Sequence, residues 1–464
     1  MKRILISTLF IIAALTASAG NVLNYILNTG DKTAYVTYHL DKDKNRIKYS
    51  GDIVIPDVII RDGIEYKVTE IVGSTFRDNT SVTSVVLGNN LKLIHKNAFE
   101  GCTGISVITI PASVDSIGEW AFSGCNLKSV TFEDGDSPLK LWDYAGYCVF
   151  HNNPLETVYL GRNYISGGRP FRGFPTLKNV TVSDYVSLLQ SEEFSSSRGI
   201  RKVSLGSNIS EIGDAAFYWC DSLTSIRLPE SVVSIGSQAF FRCDTLSFVN
   251  IPSKVKIIKG EAFEYCSELQ SITIPASVDT IGAWAFCNSG LRNVTFEDGD
   301  SPLKLWDYVG YCVFHNNPLE TVYLGRNYQS GGRPFKGFKS IKYLSIGSPV
   351  EKLQSSEFEN CSNLEKIYCY RETPPTCNND VFKGVNRQTC ILHVPEQSIN
   401  LYRVANIWQE FYSIVSGVKN IFTDQNVVTD GQWFDINGQR MGTPRRGMNI
   451  LQTEDGSSVK VYIK

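Results

Sequence analysis

Histidine, cysteine and clustered carboxylates are the residues in this chain that could do chemistry, and their spacing argues against it. The five histidines, His39, His95, His151, His315 and His393, lie far apart, and His151 and His315 are one position in two copies of the same segment. No H-E-x-x-H zinc pair, C-x-x-C pair, G-x-S-x-G nucleophile turn or G-x-x-x-x-G-K-[ST] phosphate loop occurs. Asp41-Lys-Asp43-Lys-Asn45 opens like a calcium loop, but Arg46 stands where that loop needs Gly and Asp52 where it needs a bidentate Glu. A polar hairpin tip fits it better. Phe132-Glu-Asp-Gly-Asp-Ser-Pro138, repeated from Phe296, also gathers carboxylates, yet Asp-Gly and Ser-Pro are ordinary turn signals. No catalytic residue, metal site or cofactor is expected, and the chain reads as a non-enzyme.

The twelve cysteines have a different regularity. Cys102, Cys125, Cys220, Cys243, Cys266 and Cys361 each lie three residues after a phenylalanine. In an exported chain this many cysteines normally means disulfides. Recurrence at one position instead favours a reduced column packed into a turn, each thiol acting as a small hydrophobe. Cys369, Cys377 and Cys390 lie off that column and are the candidates for a single bridge.

The phenylalanines set the architecture. Phe76, Phe99, Phe122, Phe150, Phe171, Phe194, Phe217, Phe240, Phe263, Phe286, Phe314, Phe335, Phe358 and Phe382 are separated by thirteen gaps, eight of them 23 residues. A fixed period of this size is the mark of a solenoid, in which each unit has one apolar face and cannot bury it alone. Within a copy, Leu223-Thr-Ser-Ile226-Arg-Leu228-Pro229 alternates as a strand does, and the proline, unable to donate to a ladder, ends it. Val232, Val233, Ile235 and Gly236 form a second extended wall. Ala239-Phe240 then turns inward.

The pattern L-x-x-I-x-I-P-x-x-V-x-x-I-G-x-x-A-F-x-x-C resembles the bacterial BspA-like leucine-rich-repeat family over roughly residues 71–394. Ala34-Tyr-Val-Thr-Tyr38, Ile53-Val-Ile-Pro56 and Tyr66-Lys-Val68 resemble its N-terminal β cap, and Leu392-His-Val-Pro395, Tyr402 and Trp408-Gln-Glu-Phe411 its terminating half-repeat. The resemblance implies a mainly β leucine-rich-repeat solenoid of about fourteen coils with caps at both ends. It also implies a secreted or surface-displayed binding protein, adhesin-like in several members, with no catalytic residues to transfer.

Five regions are expected: a signal peptide at 1–19, a β cap at 20–70, the solenoid at 71–394, a cap half-repeat at 395–417 and a small β module at 418–464. The signal peptide is read from Lys2-Arg3, the apolar stretch Ile4 to Leu15 and the Ala17-Ser18-Ala19 ending. No cysteine near that ending marks a lipoprotein anchor, and no later segment is apolar for long enough to span a bilayer. The final module, with Trp433 to Arg440, Gly447 to Leu451 and Val459 to Lys464 as strands, resembles tails that serve some exported bacterial proteins as sorting signals. A plain accessory β unit is the equal alternative. A net charge of −2 lacks the broad attraction that nucleic acid or an anionic membrane demands.

Residues 108–171 recur at 272–335, and from 130 to 171 only Ala145/Val309 and Ile165/Gln329 differ. Each copy carries an enlarged coil, with Trp142 and Tyr144 in one and Trp306 and Tyr308 in the other. Recent duplication explains the identity, and a contact site kept twice for avidity is the sharper reading. On the strand faces, outward positions hold Tyr159, Phe248, Tyr323, Tyr343 and Tyr368. These nine aromatics are the candidate binding surface, for an extracellular protein or glycan. The alternatives are a structural envelope component and a non-catalytic accessory carbohydrate-binding protein.

Overall fold

The computed structural model describes residues 23–143, 148–307 and 312–418, with the backbone of four short strands beyond them. The chain forms two compact units, one of residues up to 291 with 304–317, the other of 292–303 with 318 onward. Tyr144, Tyr308 and the expected signal peptide lie outside the described residues.

In the first unit each coil contributes strands to two parallel walls. Strands Val107–Ile110, Ser129–Phe132, Thr157–Leu160, Asn179–Val182 and Lys202–Ser204 pair in register, and their apolar residues alternate inward. Strands Leu188–Leu189, Glu211–Ile212, Ser234–Ile235, Ile257–Ile258 and Thr280–Ile281 form a second wall, continued by Lys304 and Leu305. The expected strand from Leu223 shortens to Ser225–Ile226. There the Asn250 side chain takes over the ladder, accepting from Leu228 N at 2.8 Å and donating to Leu228 O at 2.9 Å.

The third wall is made of stacked turns around the phenylalanines. Alternate N–H groups bridge to the next coil, as in Ala215 to Ser237 O (2.7 Å), Phe217 to Ala239 O (2.8 Å) and Trp219 to Phe241 O (2.8 Å). The intervening N–H groups close local turns. Every bridging N–H points toward the following coil, so the first coil's carbonyls have no preceding coil to serve them. Arg46 and Lys48 of the cap meet that end: Arg46 Nη1 donates to Ser74 O at 2.7 Å, and Lys48 Nζ to Asp78 O at 3.0 Å.

All fourteen phenylalanines of the period are fully buried. From Phe76 to Phe314 in the first unit, successive rings are 4.8–6.2 Å apart and near parallel. Tyr49, 5.0 Å from Phe76, begins the column one turn earlier, which brings the solenoid to about 15 turns. Each buried ring contributes about 1.5–3 kcal/mol by burial, with further gain from offset stacking.

The cysteine column is a hydrogen-bond ladder. Cys102, Cys125, Cys220, Cys243 and Cys266 each direct Sγ to the carbonyl of the preceding coil's phenylalanine at 2.9–3.3 Å. Ser197 and Ser289 make the same bond with a hydroxyl. In the enlarged coils Asn153 and Asn317 reach it with an amide, at 2.8 and 2.6 Å. All twelve cysteines are free, including Cys369, Cys377 and Cys390. Burial pushes the Cys102 and Cys361 thiols up to about 12, so they stay protonated and able to donate.

At the N-terminal cap, Asn24–Asn28 pairs antiparallel with Thr33–Thr37, which runs parallel to Ile64–Ile71. Asp41 caps a hairpin tip, its Oδ1 accepting from Asp43 N (2.9 Å) and Asn45 N (2.8 Å). In the second unit, strands Asn293–Phe296, Thr321–Leu324, Tyr343–Ile346, Lys366–Cys369, Ile391–Val394 and Ser413–Ser416 form one parallel wall. Between the last two, a short helix Ile399–Val404 brings Tyr402 and Trp408 over the final ring. Tyr402 donates to Arg371 O at 2.8 Å, Trp408 donates to Pro375 O at 2.8 Å, and both are buried. The final module is a four-stranded antiparallel sheet rather than three strands, because the expected first strand divides into Gln432–Phe434 and Arg440–Met441.

Candidate interaction surface

The enlarged coils are organised by a buried carboxylate. Asp143 Oδ1 accepts from Val149 N at 2.6 Å and Oδ2 from Ser166 Oγ at 3.1 Å, and burial lifts its carboxyl to about 6. Asp307 holds Val313 N at 2.6 Å in the second copy. The preceding tryptophans stand out from this anchor: Trp142 is 42% exposed and Trp306 44%. Lys140 Nζ lies 3.7 Å from the Trp142 ring centre and Lys304 Nζ 3.9 Å from that of Trp306, so each ring face carries a cation.

On the strand walls the candidates divide. Tyr159 is half-buried and donates to Asp134 at 2.8 Å. Phe248 is half-buried under Arg227, 5.4 Å from its ring centre. Tyr343 is exposed, with Glu365 3.4 Å from its hydroxyl. Tyr368 stacks on His393 at 4.7 Å, one strand over in register. Tyr323 corrects the expectation of an open outward ring. It is only 9% exposed, tied to Asp298 at 2.6 Å and crowded by Tyr370 at 6.5 Å.

The spacing rules missed a cluster on the turn wall. The residue two after each phenylalanine has positive φ in all fourteen coils. Eleven coils place Gly, Asn, Asp or Ser there, the types that enter this left-handed region at least cost. The exceptions are Trp219 (φ 57°), Arg242 (φ 55°) and Tyr265 (φ 63°), on three consecutive coils. A bulky side chain in that conformation costs about 1–2 kcal/mol. The position two before the phenylalanine is also often left-handed and accepts large residues such as Trp120 and Gln238, so only the later position is selective.

These three residues touch. The Arg242 guanidinium carbon is 4.7 Å from the Tyr265 ring centre and 5.9 Å from that of Trp219, and Arg198 lies 5.6 Å over Trp219. Tyr218 stacks on Phe241 at 5.0 Å and 4°, and Phe241 meets Tyr265 edge-on at 5.5 Å. The signal in the sequence was a column that changes residue class, visible only once the coils are aligned on phenylalanine.

The family model for the BspA type leucine rich repeat region matches residues 69–200, 145–269, 188–304 and 304–404, with six copies of the repeat. The chain belongs to this family. No curated protein matches this BspA-type chain in sequence. Among solved structures, a leucine rich cell surface protein from Faecalibacterium prausnitzii is 21% identical, over 87% of this chain and 97% of its own, with a TM-score of 0.34. A leucine-rich repeat protein from Bacteroides ovatus is 19% identical over 86% of this chain and 99% of its own, with a TM-score of 0.36. The T. pallidum leucine rich repeat protein is 22% identical over 53% of this chain and 87% of its own, with a TM-score of 0.26. Among the described residues no helix is long and apolar enough to cross a membrane, and no group of three or more metal-ligating side chains is assembled.

Proposed function

We propose that this BspA-type chain is an exported, cell-surface, non-catalytic binding protein that engages an extracellular protein or glycan through its extended strand face. The observation that carries the reading is the in-register stacking of outward positions. Each coil adds one side chain to a continuous column, as Ser345, Tyr368 and His393 do across adjacent strands. Such a surface offers area and repetition in place of a reaction pocket, which is how repeat proteins bind. The exposed Tyr343 and the half-buried Tyr368, stacked on His393, are the anchors on this face, since aromatics bury much area with little rotamer loss. Export rests on the residue pattern of the first nineteen positions.

A second reading is favoured by Trp142 and Trp306, which present the same exposed, cation-faced ring twice. It gives the chain an accessory carbohydrate-binding role. Pull-down of a cross-linked surface partner and glycan-array binding with the full chain separate the two. Loss of one saturable partner in the Tyr343→Ala, Tyr368→Ala double variant supports the strand face. Glycan binding lost only in the Trp142→Ala, Trp306→Ala double variant supports the second reading. No saturable partner in either format overturns both.

A further inference from the structure

The cluster on the turn wall has three properties that coil stability alone does not require. Its strained residues occupy the one position where the other coils relax the backbone, and they do so on consecutive coils. Backbone strain of this kind persists where the surface it builds has a use. Its composition, Trp219, Tyr218, Tyr265, Phe241 and Arg242, is that of the energetic centre of a protein interface.

The third property is unmet donors. Trp219 is 38% exposed, and Tyr218, Arg242 and Tyr265 are half-buried. Among the described residues the Trp219 indole N–H, the Tyr218 and Tyr265 hydroxyls and the Arg242 guanidinium make no hydrogen bond, unlike the strand-wall hydroxyls of Tyr159 and Tyr323. Arg242 is held between two aromatic faces instead of by a carboxylate. Asp221 is committed to Arg198 at 2.7 Å. Asp244 feels the Arg242 charge, which draws its carboxyl down against the larger effect of burial, but no ion pair joins the two among the described residues. Glu264 is buried, and desolvation together with the neighbouring Glu261 raises its carboxyl to about 7 even though the Arg242 charge pulls it the other way. The edge of a stacked guanidinium presents paired N–H groups that match a carboxylate.

We propose that Trp219, Arg242 and Tyr265, with Tyr218 and Phe241, form a docking site for a segment of a partner protein in which an aspartate or glutamate sits beside an apolar side chain. The carboxylate meets the Arg242 edge and the open hydroxyls, and the apolar neighbour covers the Trp219 and Phe241 rings. A donor-rich rim favours an acceptor-only group over a neutral sugar, whose hydroxyls need acceptors as well. This site is separate from the strand face, so each proposal stands or falls alone.

The test is selection of a random-peptide display library on the full chain, followed by titration of the enriched peptide and its Glu→Gln or Asp→Asn twin. Enrichment of peptides with a carboxylate next to Leu, Phe or Trp is expected, with affinity falling more than about tenfold in the twin and in Arg242→Gln. Arg242→Lys should also lose binding, because a point charge lacks the planar edge. Trp219→Asn with Tyr265→Asn should abolish binding while the melting temperature holds or rises, since asparagine tolerates positive φ. Tyr343→Ala with Tyr368→Ala should leave this binding intact. The proposal is overturned by no enrichment, by affinity indifferent to Arg242→Gln, or by binding of uronic-acid oligosaccharides in place of peptides. A large fall in melting temperature in the double asparagine variant would assign the cluster to coil stability and overturn it as well.

Discussion

The strand walls and the turn wall both carry aromatic rings at outward positions, but on different terms. On the strand walls Tyr159 and Tyr323 have their hydroxyls tied to Asp134 and Asp298, and Tyr368 is stacked on His393. Those rings are already satisfied and cost the backbone nothing, since an extended strand accepts any aromatic. On the turn wall Trp219 and Tyr265 sit in left-handed backbone, and their polar groups make no hydrogen bond among the described residues. Exposure alone therefore ranks surface aromatics poorly. Strain together with unmet hydrogen bonding separates a side chain that decorates a coil from one that the coil accommodates at a cost.

The largest expected effect tests what holds the two walls together. Phe240→Ala removes a ring stacked at 5.4 and 5.2 Å between its neighbours and should cost about 3–5 kcal/mol in urea unfolding. It should disturb strand and turn walls alike. Next is pH. Glu193 is fully buried and desolvation raises its carboxyl from 4.5 to about 7, with Glu357 matching it in the second unit. A folded value above the unfolded one means the fold favours the protonated acid. That stability is complete below pH 4.5 and is lost as pH rises through about 7. Melting followed from pH 4.5 to 8 (the upper limit being roughly one unit past titration) should therefore show a downward component that Glu193→Gln reduces.

The cysteine ladder gives a smaller effect with a sharp internal control. Cys243→Ser should be nearly neutral in urea unfolding, since Ser197 and Ser289 already make that bond. Cys243→Ala leaves the Phe217 carbonyl with Cys220 N–H as its remaining donor and should cost about 0.5–1.5 kcal/mol. The smallest effects sharpen the wall comparison itself. Asn288→Trp forces a bulky residue into positive φ and should cost about 1–2 kcal/mol. Tyr159→Phe on the strand wall, which loses only a surface hydrogen bond, should change stability by about 0.5 kcal/mol or less. Equal costs for these two would erase the distinction between the walls.

Much of the fold was readable because the period is strict. Phenylalanine spacing alone located the coils, and alternation around Ile226 told inward from outward. The reading failed where one coil's environment is set by another. Tyr323 has an outward strand position, yet Asp298 and Tyr370 close over it. The thiol column looked apolar because the acceptors of its hydrogen bonds are carbonyls one coil away, 26 residues back. Trp219, Arg242 and Tyr265 were passed over because three unlike residues carry no motif until their common backbone conformation is known.

From its letters alone this chain declares a solenoid: a residue type returning at a fixed interval can be buried only by stacking each copy on the next, whatever the detailed path of the turns. Which rings remain open, which thiols donate, and which residues bear left-handed backbone depend on contacts between coils. Those contacts are set by the dihedral angles of each turn and the neighbour it meets, and a linear period encodes neither.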